Sequence, residues 1–211
     1  MLKRIFKYFV GIVFLGIVIY NSIYIKKLSD NQTSAEKAFD AKSYAREYLF
    51  EKIPASKAKA IPVFKLLSDL KSNSNNAFKN YSNTQNTGDL KYFFVQGEGE
   101  IAKIDEDYVT LKSKDDASEI KISTQFIFGN AARDGSGLIS INYFNNTMDL
   151  NNVSEEINKL IRTEILPPFN AKIKKGDRVN FTGCIAINQA DFKIANIEII
   201  PLLLQINPKK P

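Results

Sequence analysis

Histidine and tryptophan are absent from the 211 residues, and Cys184 is the single cysteine. The lack of histidine removes Ser-His-Asp and Cys-His catalysis, the usual zinc sites and the commonest general base together. One cysteine allows neither an intramolecular disulfide nor a thiolate metal cluster. Hydrolysis by paired carboxylates would need two acids converging in a cleft, and no spacing in the sequence shows that. The expectation is a non-enzymatic protein with no cofactor and no metal.

Basic surplus is also scarce once it is divided along the chain. The formal net charge is +6, of which residues 1–27 contribute +5, residues 28–88 contribute +3 and residues 89–211 contribute −2. The positive balance therefore sits near the N-terminus, where anionic headgroups reward it. The C-terminal part has no basic excess of the kind phosphate-backbone binding needs, so no nucleic acid is expected as a partner.

The chain does contain one long uncharged run, Tyr8 to Ile25, flanked by Lys3, Arg4 and Lys7 before it and Lys26 and Lys27 after it. As a helix it would span about 27 Å, close to the apolar thickness of a bilayer. It is followed by bulky and then basic residues, unlike a cleavage site, so an uncleaved anchor in contact with membrane lipid is expected. The flanking charge favours an N-terminus in the cytoplasm. The expected location is a single pass of the cytoplasmic (inner) membrane, with the C-terminal domain periplasmic. Lipid attachment is not expected, because no cysteine lies just after the apolar run.

Three regions are expected: an anchor (1–27), a juxtamembrane helical region (28–88) and a β-barrel domain (89–211). A helix is read from Ser34, with Ala38, Ala41, Ala45, Leu49 and Phe50 at three- and four-residue steps and Pro54 as its end. A second is read from about Ser56 to Lys71, interrupted at Pro62, and residues 72–88 read as a loop or weak helix. Past Gly88 the period becomes two. Strands are expected at Lys91–Ile104, Tyr108–Lys112, Glu119–Phe128, Arg178–Asn188 and Phe192–Leu202, with a short alternating segment at Leu138–Phe144. A helix is expected from the capping-box pattern at Asn152–Glu155, stopped by Pro167 and Pro168. Gly97 and Gly99 inside the first strand suggest a sharp coil that lets it serve both halves of a curved sheet. The fold class is thus α+β: a transmembrane helix, a short helical segment, then a five-stranded OB-like Greek-key barrel. The helix between strands three and four would plug the barrel's open end. An open α+β sheet is the competing arrangement.

The most site-like stretch is Arg133-Asp134-Gly135-Ser136-Gly137, a charged pair on a glycine-rich loop. Asn142, Tyr143 and Asn146, with Asn145, offer amides and an aromatic face to a saccharide or peptide. Asp105-Glu106-Asp107 reads as a hairpin turn. Gly97–Glu100 lacks the helix start and Lys-Ser/Thr of a phosphate loop, and Cys184 reads as a small packing residue.

Several of these positions coincide with one family's pattern. They are Phe39-Asp40, Tyr44, Lys52 and Pro54 in the helical part, then Gly97-Glu98-Gly99, Arg133-Asp134, and Phe144 with Asn146. The pattern closes with Gly176-Asp177, Val179 and Phe181-Thr182-Gly183. From about Phe39 to Ile200 the chain resembles the predicted periplasmic lipoproteins grouped as domain of unknown function 2291. It departs from them in lacking a lipobox cysteine, in having Thr147 where glutamine is usual, and in lacking a tryptophan near Leu49 and Phe50. The resemblance implies no activity. It implies an accessory role beside a sugar ABC transport system, with a transporter or envelope protein as partner. The alternative is an oligosaccharide- or peptidoglycan-binding OB-type module acting through the face near residues 130–147.

Overall fold

The computed structural model describes residues 39–83, 88–113, 119–192 and 197–207, together with Phe6 and Leu15. The expected anchor, Tyr8–Ile25, lies outside the described residues apart from Leu15. Among the described residues no helix is long and apolar enough to cross a membrane. Residues Asp40–Pro211 form one compact unit.

The unit opens with α1 (Ala41–Glu47), whose N-terminus is capped by Asp40: its carboxylate accepts the Ser43 N–H at 3.0 Å. The helix does not end at Pro54. It widens into a π turn (Tyr48–Lys52) and resumes as α2 (Ile53–Ser56). Ile53 N–H already bonds five residues back, to the Tyr48 carbonyl. The ladder has therefore slipped by one residue when the proline arrives, and its ring meets no aligned carbonyl four residues back. Ala45, Tyr48, Leu49 and Ile53 form the buried stripe, while Phe50 is exposed.

After the two-residue strand β1 (Ile61–Pro62) come α3 (Val63–Ser72) and α4 (Ser74–Tyr81). The asparagine-rich stretch is thus partly helical, because Asn73 caps α4 by accepting the Asn76 N–H. The strands that follow are β2 (Leu90–Ile104), β3 (Tyr108–Lys112) and β4 (Glu119–Ser123). β4 is shorter than expected, and the loop beyond it leaves Phe126 and Phe128 exposed. A short turn, α5 (Ala131–Asp134), precedes a 3₁₀ turn at Ile141–Tyr143, where an alternating segment was expected.

The next helix, α6 (Thr147–Leu160), begins five residues before the capping-box pattern. Asn146 supplies the cap: its side chain accepts the Asp149 N–H and donates to the Asp149 carboxylate, both at 2.8 Å. That reciprocal pair lets Leu150 and Val153 join Ile157 on the buried face. The helix continues through a second π turn (Ile161–Ile165) into α7 (Leu166–Asn170). Pro167 and Pro168 therefore do not stop it, for the reason seen at Pro54: Leu166 N–H bonds back to the Ile161 carbonyl. The last strands are β5 (Arg178–Asn188) and β6 (Glu198–Asn207).

Strands β2, β3, β4, β6 and β5 neighbour one another in that order, and β5 pairs again with β2, so the five close into a barrel. The β4–β6 seam is parallel and the other barrel seams are antiparallel. The fifteen-residue β2 reaches both neighbours, as its glycines suggested. Phe93, Val95, Val109, Leu111, Val179 and Phe181 fill the barrel, covered by Val63, Leu66 and Leu70 of α3, Phe78 of α4 and Phe169 of α7. Residues of opposite parity, Phe94, Cys184 and Leu202, face a second apolar cluster built by Tyr48, Leu49, Val153, Ile157 and Ile161. The helix between strands three and four thus meets the barrel core through its last segment, while α6 lies against the outer face with α1.

Candidate functional site

Arg133 and Asp134 are not displayed on an exposed loop. Both sit on α5 and are 6% exposed. The guanidinium meets the neighbouring carboxylate through two bonds, Nε to Oδ1 at 2.6 Å and an amino nitrogen to Oδ2 at 2.9 Å. A third donation goes to the Leu150 carbonyl at 3.3 Å. The pair links α5 to α6 from inside. The small residues after it have local work as well. A Cβ on Gly135 would lie 2.5 Å from Cys184 Sγ, so α5 rests directly on β5. Tyr48 Oη donates to the Ala132 carbonyl at 2.7 Å and pairs with Ser136 Oγ at 2.8 Å. Burial holds the Tyr48 phenol well above its ordinary value. Burial also pushes up the Cys184 thiol, helped by the nearby Asp134 charge, so this cysteine is a packing residue.

Asn142 and Tyr143 lie on the exposed 3₁₀ turn, and Asn146 caps α6. The structure therefore divides the five expected residues between a buried ion pair, an exposed turn and a helix cap.

A groove of about 630 Å³ lies elsewhere, at the bend of β2. Its floor is Pro62, Val63 and Phe64 against Gly97 and Gly99; its rim carries Glu98, Glu100, Lys112 and Arg178. In register, Gly97 faces Phe181 and Gly99 faces Val179. A Cβ on Gly97 would come within 2.7 Å of the Phe181 ring, and one on Gly99 within 2.8 Å of Leu111 Cβ. The two glycines let β2 coil tightly over these side chains, and the coil opens the groove. Arg178 and Glu98 face each other across its mouth at 3.6 Å, each about half exposed. Such a volume is in the range of small-molecule sites. The groove brings together two anionic groups, two cationic groups and an apolar floor. The sequence signal for it was the glycine pair, legible as a bend but not as a cavity, because Val63, Lys112 and Arg178 come from three other elements.

A second cleft, about 350 Å³, is lined by Phe128, Asn130, Asn151, Ser154, Glu155, Asn158 and Arg162. Arg162 lies over the Phe128 ring, 5.1 Å from its centroid, and donates to the Ile127 carbonyl. Asn158 donates to the Gly129 carbonyl at 2.8 Å, whereas its own side-chain oxygen is buried with no partner among the described residues.

No curated protein matches the chain. Among solved structures it is similar to the crystal structure of an OB-fold protein from Thermotoga maritima MSB8, with a TM-score of 0.72 and 26% identity, over 81% of this chain and 100% of that one. The five-stranded barrel with its helices is thus an OB fold. Residues 13–205 match a family described as predicted periplasmic lipoprotein, and the chain belongs to that family, domain of unknown function 2291.

Proposed function

We propose that this protein is a non-enzymatic binding module held at the outer face of the cytoplasmic membrane by Tyr8–Ile25, its OB-fold unit taking a ligand in the groove at the β2 bend. The groove carries the reading: a cavity of small-molecule size whose rim presents charges of both signs over an apolar floor. The uncharged run supports the tether, and the family's periplasmic description supports the compartment. An accessory role beside a sugar ABC transporter is consistent with a tethered domain that performs no chemistry of its own. Asp105, Glu106 and Asp107 occupy the loop between the first two barrel strands, where nucleic-acid-binding OB folds make contacts. Their charge opposes a phosphate backbone.

A saccharide reading has its own observation. The cleft beside Phe128 combines an exposed aromatic ring with Arg162 over one face, three asparagines and an Asn158 oxygen without a partner among the described residues. The full chain in detergent, screened by thermal shift against neutral oligosaccharides and short peptides, tests both readings. A midpoint rise lost in Arg178→Glu supports the groove, and a saccharide-specific rise lost in Phe128→Ala supports the cleft. Protease added to spheroplasts should degrade the body of the chain. No midpoint rise with any ligand, or an intact body, overturns the proposal.

A further inference from the structure

The groove contains an interrupted sheet edge. β2 is flanked on one side by β5 from Leu90 to Glu100, with no break in register. On its other side β1 pairs only as far as Gln96, and β3 begins only at Glu100. Among the described residues no strand faces Gly97-Glu98-Gly99 on that edge. Among the described residues, β1 leaves the edge where α3 starts at Val63, and the pairing of β3 with it ends at Lys112.

The direction of the main-chain groups follows from alternation along a strand. Ile101 directs its main chain toward the β5 side: its N–H donates to the Asp177 carbonyl at 2.8 Å and its carbonyl accepts from Gly176 at 2.9 Å. Tyr92, of opposite parity, accepts the Asn83 N–H on the other side at 2.7 Å. Glu98 shares the parity of Tyr92. Its N–H and carbonyl therefore point into the groove, where no described strand meets them.

We infer that the groove binds a short peptide in extended form, which completes the sheet between β1 and β3 by hydrogen bonding to the Glu98 main chain. The inference rests on the groove reading above and assigns its ligand class. A peptide supplies what an open edge lacks, an amide donor and a carbonyl at strand spacing. The gap is three residues long, about 10 Å at roughly 3.3 Å per residue, which fits a tripeptide. Charge fixes its direction. Lys112 and Arg178 stand at the Glu100 end, in loose exposed pairs with Glu119 at 3.5 Å and Glu98 at 3.6 Å; they exchange these partners for the terminal carboxylate, so the ligand runs parallel to β2, as β1 does. Its side chains rest on Pro62 and Phe64. An OB fold that binds through its usual face would use strands β3 and β4 instead.

The test uses the full chain in detergent, with tri-alanine, tri-alanine N-methylated at both internal amides, and maltotriose as probes. Tri-alanine is expected to raise the unfolding midpoint and the methylated peptide is not. Glu98→Pro deletes only the N–H that faces the gap, at an edge position where proline is tolerated, and should abolish the rise. Glu98→Gln keeps the main chain and should retain it. Arg178→Glu should weaken half-saturation about tenfold or more through loss of a charge-assisted bond. If Glu98→Pro does not fold, the methylated peptide makes the same test from the ligand side. Equal shifts by both peptides, or no shift by tri-alanine, overturn the inference. A rise with maltotriose alone, lost in Arg178→Glu, also overturns it while leaving the groove reading in place.

Discussion

Arg133 and Asp134 show what a charged pair does when neither side chain reaches water. Two charges removed from solvent are tolerated only if they pair closely and their remaining hydrogen-bonding groups are met, as the Arg133 guanidinium is by the Leu150 carbonyl. Asp134→Ala strands a buried guanidinium and should cost about 3–5 kcal/mol, read as a fall in the denaturation midpoint. Replacing both residues by apolar ones of similar size should cost less than that single change. An exposed pair behaves differently. Arg46 donates twice to Glu164, at 2.6 and 2.9 Å, and this hydrogen bonding holds the Glu164 carboxyl below its ordinary value. Its contribution to stability is therefore present above the ordinary glutamate range and lost as pH falls through the lowered value. Acid titration of Glu164→Gln should show a shallower loss of stability in that window than the parent, and identical curves would refute the linkage.

At the scale of elements, helix ends and strand bends are set by single residues whose partners lie nearby. Asn146 fixes where α6 starts, and Asn146→Ala should cost about 1 kcal/mol with loss of helical signal at its first turn. The β5–β6 seam depends on Gly183, where an added Cβ would lie 2.5 Å from the Ile200 carbonyl oxygen. Backbone cannot step aside as a flexible side chain can, so Gly183→Ala should destabilise by about 1–3 kcal/mol. The two π turns explain why three prolines sit inside helices: each turn shifts the hydrogen-bond ladder just before a proline arrives. Proline as a helix stop is a local rule, and the ladder slip that suspends it leaves no mark in the residue pattern.

For the whole molecule, the barrel and the preceding helices share their apolar surface. Val63, Leu66 and Phe78 cover the barrel core, and Tyr48, Leu49 and Ile53 cover its outer face with α6. A chain beginning at residue 89 should consequently lose the cooperative unfolding transition and bind a hydrophobic dye. A sharp transition would show that the barrel folds without its cover.

Sequence by itself determined the barrel's principal strands, because alternation at Tyr108–Lys112 and Arg178–Asn188 reflects a two-residue period that local geometry imposes. It also determined the bend at Gly97 and Gly99 and the uncharged run near the N-terminus. Only the tertiary structure decided what becomes of side chains whose partners are distant. It took Arg133 and Asp134 out of solvent by laying α6 beside them, and it made a groove where Val63, Lys112 and Arg178 converge beside Gly97 and Gly99 of β2. Burial and cavities belong to pairs of elements, and a residue's own neighbours in sequence do not encode which element will come to face it.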